Sequence, residues 1–318
     1  MERSIVTIRP RPPYDFELTA AYATYFRGQY GAESYQEGIF RRLLDCRGRL
    51  CLVVVRSTGS MDSPLLEVEI ETAGARLEAD ILTDVRRQVA WILGADQDLV
   101  SFYRMATHDS VIEPLIRGLR GLHIPHTASV YEALVLAILG QQISSHVARV
   151  VRTLLIATYG PSAEVSGVTY YAFPRPEAIV AAGVAGLRTI KFSARKAEYV
   201  ADIAAKVSSG MLNLEGLRER PDEEIVRALT GIRGVGPWTA QWLFIRALGR
   251  TDGFPHGDLA LQRLMGILLN KGAPLSPEEA LEFSRRWSPF RSYITTYLFA
   301  AARSGRFEGL SRAGQVGP

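Results

Sequence analysis

The feature that most constrains this chain is a glycine-punctuated turn between two helix-forming stretches, Leu229-Thr230-Gly231-Ile232-Arg233-Gly234-Val235-Gly236-Pro237-Trp238-Thr239-Ala240. Glycine tolerates positive φ and lets another backbone approach closely. The first N–H groups of the second helix lack intrahelical partners, so a turn of this kind gathers exposed donors into an anion site. A phosphodiester suits such a site. A bare Gly-x-Gly is also what an ordinary tight αα-hairpin uses; the longer string, with Leu229 before the glycines and Thr239-Ala240 after, is far more specific.

The rest of the chain bounds what this turn can belong to. At 318 residues the protein is too long for one ordinary domain, so two or three compact units are expected. Hydrophobic residues make up 47% and charged residues 22%, a globular balance. The longest apolar runs, at residues 50–55 and 133–139, fall far short of the ~20 residues a membrane span needs. The first residues contain no apolar signal-peptide core, and only Cys46 and Cys51 are available for sulfur chemistry. A reduced, cytoplasmic protein without an iron–sulfur cluster or a structural zinc site is expected. The net charge is 37 − 33 = +4 and the pI about 9.1, compatible with a nucleic-acid partner but not diagnostic of one. Lysine is scarce: Lys191, Lys196, Lys206 and Lys271 are the four in the chain.

The fold class expected is α+β. Leu66, Val68 and Ile70 alternate with Glu67, Glu69 and Glu71, the period of a half-buried strand, and residues 50–55 are its natural antiparallel partner. Thr83 is read as the cap of a helix carrying Val85, Val89 and Ile92 and ending near Gly94. A small mixed α/β domain over residues 1–98 is therefore expected to precede two helical lobes. One lobe is assembled from residues 99–129 and 251–303; the other spans 130–250 and holds the glycine turn; residues 304–318 are read as a tail. Ser193 and Pro176 are read as helix starts, residues 131–139 as a buried central helix, and Arg41-Arg42 as a solvated face. His123 and His126 have no acids or cysteines near them in sequence, so no metal site is assigned to them. His146 suits either an exposed helix position or a phosphate contact.

Four segments, in order, resemble the helix-hairpin-helix DNA glycosylase superfamily and, within it, the bacterial 3-methyladenine DNA glycosylase II (AlkA) branch. They are Pro12-Pro13-Tyr14-Asp15-Phe16, Ile138-Leu139-Gly140-Gln141-Gln142-Ile143-Ser144, the glycine turn itself, and Arg286-Trp287-Ser288-Pro289-Phe290-Arg291-Ser292-Tyr293. The resemblance covers most of the chain. It implies a monomeric, monofunctional glycosylase that flips alkylated bases such as 3-methyladenine out of double-stranded DNA and hydrolyses the N-glycosidic bond, leaving an abasic site. Glycosylases for oxidised or deaminated bases, and a non-catalytic binder of damaged DNA, are the rival readings.

The resemblance also distributes roles. The segment Phe254-Pro255-His256-Gly257-Asp258 opens a helix about twenty residues after the turn, and Asp258 matches the family's catalytic aspartate. Cleavage of an N-glycosidic bond produces an oxocarbenium-like sugar, which a carboxylate stabilises while accepting a proton from the attacking water. The plain alternative for Asp258 is a helix N-cap, and one residue can do both. Lyase-type relatives carry a lysine where Trp238 stands, so no Schiff base is expected. Trp238, Trp242 and Phe299 match the walls that stack on the extruded base, each with core packing as the alternative. Gln141, Gln142, Gly234, Val235, Gly236 and Thr239 match DNA-contacting positions, with Gln142 at the wedge position where an apolar residue is usual. The carbonyls of Thr230, Ile232 and Val235 match a monovalent-cation site. No other cofactor is implied.

Overall fold

A computed structural model describes residues 2–72 and 77–305. The N-terminal part holds β1 (Glu2–Ile8), α1 (Phe16–Ala23), β2 (Gln29–Tyr30), β3 (Glu33–Gln36), β4 (Ile39–Cys46), β5 (Arg49–Ser57), β6 (Leu66–Thr72) and α2 (Ala79–Ile92). The six strands form one antiparallel sheet in the order β1-β6-β5-β4-β3-β2. The alternating strand and the apolar run pair as expected, with Val53 opposite Ile70 and Val55 opposite Val68. The run at residues 50–55 is apolar on both faces because both faces are covered. Cys51, Val53 and Val55 join the core under α2, whereas Leu52 and Val54 pack on a distant hairpin, β7 (Ser162–Val165) and β8 (Val168–Tyr171), that the sequence reading did not anticipate.

The helical part contains α3 (Val100–Ala106), α4 (Glu113–Gly118), α5 (Val130–Gly140), α6 (Ser145–Tyr159), α7 (Pro176–Thr189), α8 (Ala194–Ser208), α9 (Asp222–Thr230), α10 (Pro237–Arg246), α11 (Leu259–Leu268), α12 (Pro277–Ser284) and α13 (Arg291–Ser304). It has two cores. One is built from α5 to α10 and centres on Leu134, Val135, Ile138, Val200, Ile203 and Leu243. The other joins residues far apart in sequence: Phe102, Leu115 and Leu119 meet Leu261, Met265, Trp287, Tyr297 and Leu298. Buried α5 is apolar nearly all round, and Ser129 caps it by accepting from the Glu132 N–H. Pro176 stands at the first position of α7, and Ser193 caps α8 through the Lys196 N–H.

Two local expectations are overturned. Thr83 does not begin a helix: α2 starts four residues earlier, at Ala79, and the Thr83 hydroxyl donates back to the Ala79 carbonyl at 2.8 Å. The apolar stripe extends one turn further toward the N-terminus than was read, because Ile81 is buried with Val85 and Val89. Arg42 does not face solvent; it is 2% exposed, on β4, and ion-paired to Glu33 and Glu132. A lone sequence cannot show that two carboxylates await it inside. His123 and His126 are likewise structural: His123 Nδ1 lies 2.7 Å from the Gly94 carbonyl, and His126 stacks on Trp91 with centroids 4.1 Å apart. Burial drives both imidazoles toward the neutral form, lowering His123 and pushing His126 down to about 3. The tail expected over 304–318 lies, beyond Gly305, outside the described residues.

Candidate active site and nucleic-acid interface

The turn between α9 and α10 uses its glycines unequally. Gly231 ends α9 with φ −73° and Gly236 sits in extended backbone at φ −106°, conformations open to most residues. Gly234 alone takes positive φ, +91°, and a Cβ there would lie 2.3 Å from the Tyr199 ring. The freedom expected of all three glycines is thus needed at Gly234, and a packed aromatic ring enforces it. A Cβ at Gly236 would meet nothing within 4 Å.

The donors of the turn are also sorted. Val235, one of the positions matched to DNA contact, donates its N–H to the Ile232 carbonyl at 3.0 Å, and its side chain is buried. Gly236 provides no side-chain cap for α10, which leaves the first N–H groups of that helix for an outside acceptor. Thr239, also expected at the DNA, is 1% exposed, and its hydroxyl accepts from Gln141 Nε2 at 3.2 Å. Gln141 Nε2 donates as well to the Gly234 carbonyl at 3.0 Å. Gln141 and Thr239 therefore bind the two loops to each other instead of presenting their side chains outward.

Gln142 is the exposed member of the pair. It adopts φ +54°, unusual for a non-glycine residue, at the junction of α5 and α6. The junction is held from behind by Lys196, whose Nζ donates to the carbonyls of Leu139 at 2.8 Å and Gln141 at 2.5 Å. Ser144 caps α6 on the other side through the Val147 N–H. The left-handed residue thus stands between two fixed helix ends, with its side chain in solvent beside the hairpin. His146, one turn on, is exposed.

Asp258 is the N-cap of α11, and its two carboxylate oxygens have separate partners. Oδ1 accepts from the backbone N–H groups of Ala260 and Leu261, both at 3.0 Å. Oδ2 accepts from the indole Nε1 of Trp238 at 2.9 Å and of Trp242 at 3.2 Å. All four neighbours are N–H donors, so both carboxylate oxygens serve as acceptors. The helix cap and the indole contacts are therefore made by the two halves of one side chain. The indoles come from α10, four residues apart on one face, so the hairpin that offers backbone donors also aims Oδ2.

The expected aromatic walls assemble. Trp238 and Trp242 lie edge to face at 6.4 Å, and Trp242 lies 5.4 Å from Phe299. Phe299 itself is 6% exposed, so it backs Trp242 from within the core and does not stand open to solvent. Sequence reasoning missed what lies behind it. The Arg303 guanidinium sits 4.8 Å from the Phe299 ring and 4.2 Å from that of Tyr25, which lies 4.2 Å from Tyr30. Tyr25 and Phe26 are consecutive residues at positive φ, 55° and 57°. Leu259, immediately after Asp258, is 64% exposed, an apolar side chain left bare beside the carboxylate. The i, i+4 spacing of Phe299 and Arg303 on α13 was the one available signal for the first of these.

Residues 135–289 match the family model described as HhH-GPD superfamily base excision DNA repair protein. A DNA-3-methyladenine glycosylase of Bacillus subtilis is 34% identical over 204 residues, 64% of this chain and 67% of that protein. Among solved structures, 3-methyladenine DNA glycosylase from Archaeoglobus fulgidus superposes with a TM-score of 0.82 at 29% identity, covering 95% of this chain and 99% of that one. The Schizosaccharomyces pombe 3-methyladenine DNA glycosylase in complex with abasic DNA gives a TM-score of 0.54 at 26% identity, covering 63% of this chain and 97% of that one. The matched segment takes in the Gln141-Gln142 loop, the hairpin and Asp258, and the chain belongs to the HhH-GPD superfamily of base excision DNA repair proteins.

Proposed function

We propose that this protein is a monofunctional DNA glycosylase that releases alkylated purines, 3-methyladenine among them, from double-stranded DNA. The observation that carries the reading is Asp258, with Oδ2 held by two indoles directly after a hairpin of free backbone donors. The base leaves the duplex at a cost of a few kcal/mol, least for damaged bases. The N-glycosidic electron pair departs with the base and neutralises the positive charge that alkylation placed on it, so no strong acid is needed. The sugar becomes oxocarbenium-like, and the Asp258 carboxylate stabilises it. A water oxygen then bonds to the anomeric carbon and its proton passes to Asp258.

Hydrolysis without strand cleavage fits Trp238, an indole where a lyase would present an amine. Lys196 is the amine tied to the DNA-facing loop, and its Nζ donates to two backbone carbonyls there. Gln142 would fill the gap left by the extruded base. A monovalent cation at the hairpin would bind the carbonyls of Thr230, Ile232 and Val235. That of Ile232 already accepts from Val235, which a carbonyl with two lone pairs permits, and a neutral oxygen set suits a hard cation of low charge.

The test is to incubate the protein with duplexes carrying 3-methyladenine, an oxidised purine or a deaminated base and to measure free base released. Release of the alkylpurine is expected. Release restricted to the oxidised or deaminated base, or tight binding with no release, would replace this reading with one of its rivals.

A further inference from the structure

The Arg42 that the sequence reading placed in solvent belongs to a four-member ion chain. Arg42 Nη2 lies 2.6 Å from Glu132 Oε2, Arg42 Nη1 meets Glu33 Oε1, and Glu33 Oε2 lies 3.0 Å from Arg152 Nη2. Exposures are 5% for Glu33, 2% for Arg42, 1% for Glu132 and 7% for Arg152. Glu33 and Arg42 belong to the N-terminal sheet, on β3 and β4; Glu132 and Arg152 belong to α5 and α6. The sheet hairpin is moulded around the far end: Tyr30 packs its ring 4.4 Å from the Arg152 guanidinium, and a Cβ on Gly31 would fall 2.2 Å from Arg152 Nε.

Stability alone does not account for this chain. Buried ion pairs at best offset their desolvation, and apolar residues of similar volume often do better. Here Arg42 Nε, Glu132 Oε1 and Arg152 Nε are buried without hydrogen-bond partners, which adds to the cost. What charged hydrogen bonds supply and apolar contacts do not is register, because their geometry is directional. The elements whose register is fixed are the two helices that flank the Gln142 loop. Glu132 stands nine residues before Gln141 and Arg152 eight after Ser144, about 12–14 Å of helix on each side at 1.5 Å per residue.

We propose that Glu132, Arg42, Glu33 and Arg152 are positioning residues: through α5 and α6 they mount the Gln142 loop on the N-terminal sheet, so that the sheet contributes to base extrusion without touching DNA. The inference rests on the proposed function for the identity of the extruded base, but its main readout needs no chemistry. A double variant, Arg42→Met with Glu132→Leu, removes both ion pairs of Arg42 and leaves Glu33 joined to Arg152. Glu132→Gln is the milder second variant, which keeps an acceptor for Arg42 if the first does not fold.

Duplexes carrying 2-aminopurine beside an abasic-site analogue report unstacking by fluorescence. The parent should give a strong rise. The variants should bind with nearly parental affinity yet give a rise reduced several-fold, and excision should fall at least tenfold on duplex but less than twofold on the same lesion in single-stranded DNA. Equal losses on both substrates, or a parental fluorescence rise in a variant that melts like the parent, would overturn the proposal. If the parent unstacks 2-aminopurine but releases no alkylpurine, the functional reading fails while the positioning role stands.

Discussion

At the scale of the residue, the division of labour within Asp258 sharpens what its replacement does. From sequence, asparagine at this place keeps the shape and the cap, so folding would hardly change. The indoles alter that expectation. The amide oxygen of an asparagine could still accept from Ala260 and Leu261, but its NH₂ would face two N–H donors, Trp238 Nε1 and Trp242 Nε1. Asp258→Asn should therefore lose ~10²–10³ or more in excision rate and also about 1–2 kcal/mol of stability, as two indole donors lose an acceptor. Single-turnover base release and thermal melting separate the two effects; a variant excising at near the parental rate would reduce Asp258 to a cap. Borohydride trapping during turnover addresses the amine. No covalent protein–DNA adduct is expected, and an adduct that disappears in Lys196→Gln would identify Lys196 as a nucleophile and end the monofunctional reading.

At the scale of the element, the α9–α10 turn separates fold from function through two of its glycines. Gly234→Ala forces a Cβ into the Tyr199 ring at positive φ, so it should destabilise the helical lobe by ~1–3 kcal/mol and weaken DNA binding with it. Gly236→Val places its side chain in open space at an ordinary φ. It should melt like the parent yet bind an abasic-site duplex at least several-fold more weakly, because the methyl groups occupy the approach to the free N–H groups. If both variants bind normally, the hairpin is not the DNA anchor. Helix starts such as Ser193 and Pro176, and the paired strands, were legible because caps and periodicity are local. The start of α2 was misread because the deciding residue, Ile81, is defined by what it packs against. The β7–β8 hairpin escaped notice for the same reason: its partner surface is a sheet more than a hundred residues away.

At the scale of the molecule, the site residues could be named in sequence, but their connections could not. Trp238, Trp242 and Asp258 were recognised by motif; that both indoles converge on one oxygen, that Gln141 and Thr239 bond to each other, and that Arg42 is interior are long-range facts. Acid tests the whole assembly. His126 titrates near 3 in the folded chain and near 6.5 when unfolded, and His123 is lowered too. Below pH ~6.5 the unfolded chain takes up protons that the native state refuses. Stability present above that pH is thus lost as pH falls, by up to about 1.4 kcal/mol per unit for each histidine. Urea midpoints measured from pH 7 to pH 5 should fall accordingly, and His126→Gln should make the slope shallower even if it lowers the starting value; an unchanged slope would reject this origin. The core that seats Asp258 joins Phe102, Leu115 and Leu119 to Trp287, Tyr297 and Leu298, with the whole other helical lobe between them in sequence. During synthesis, the first of these segments must wait for the last, on the order of 10–40 s at roughly 5–20 residues per second. The apolar faces of α3 and α4 stay open through that interval, so the nascent chain is most exposed to aggregation and to chaperones before Asp258 has a lobe to stand on.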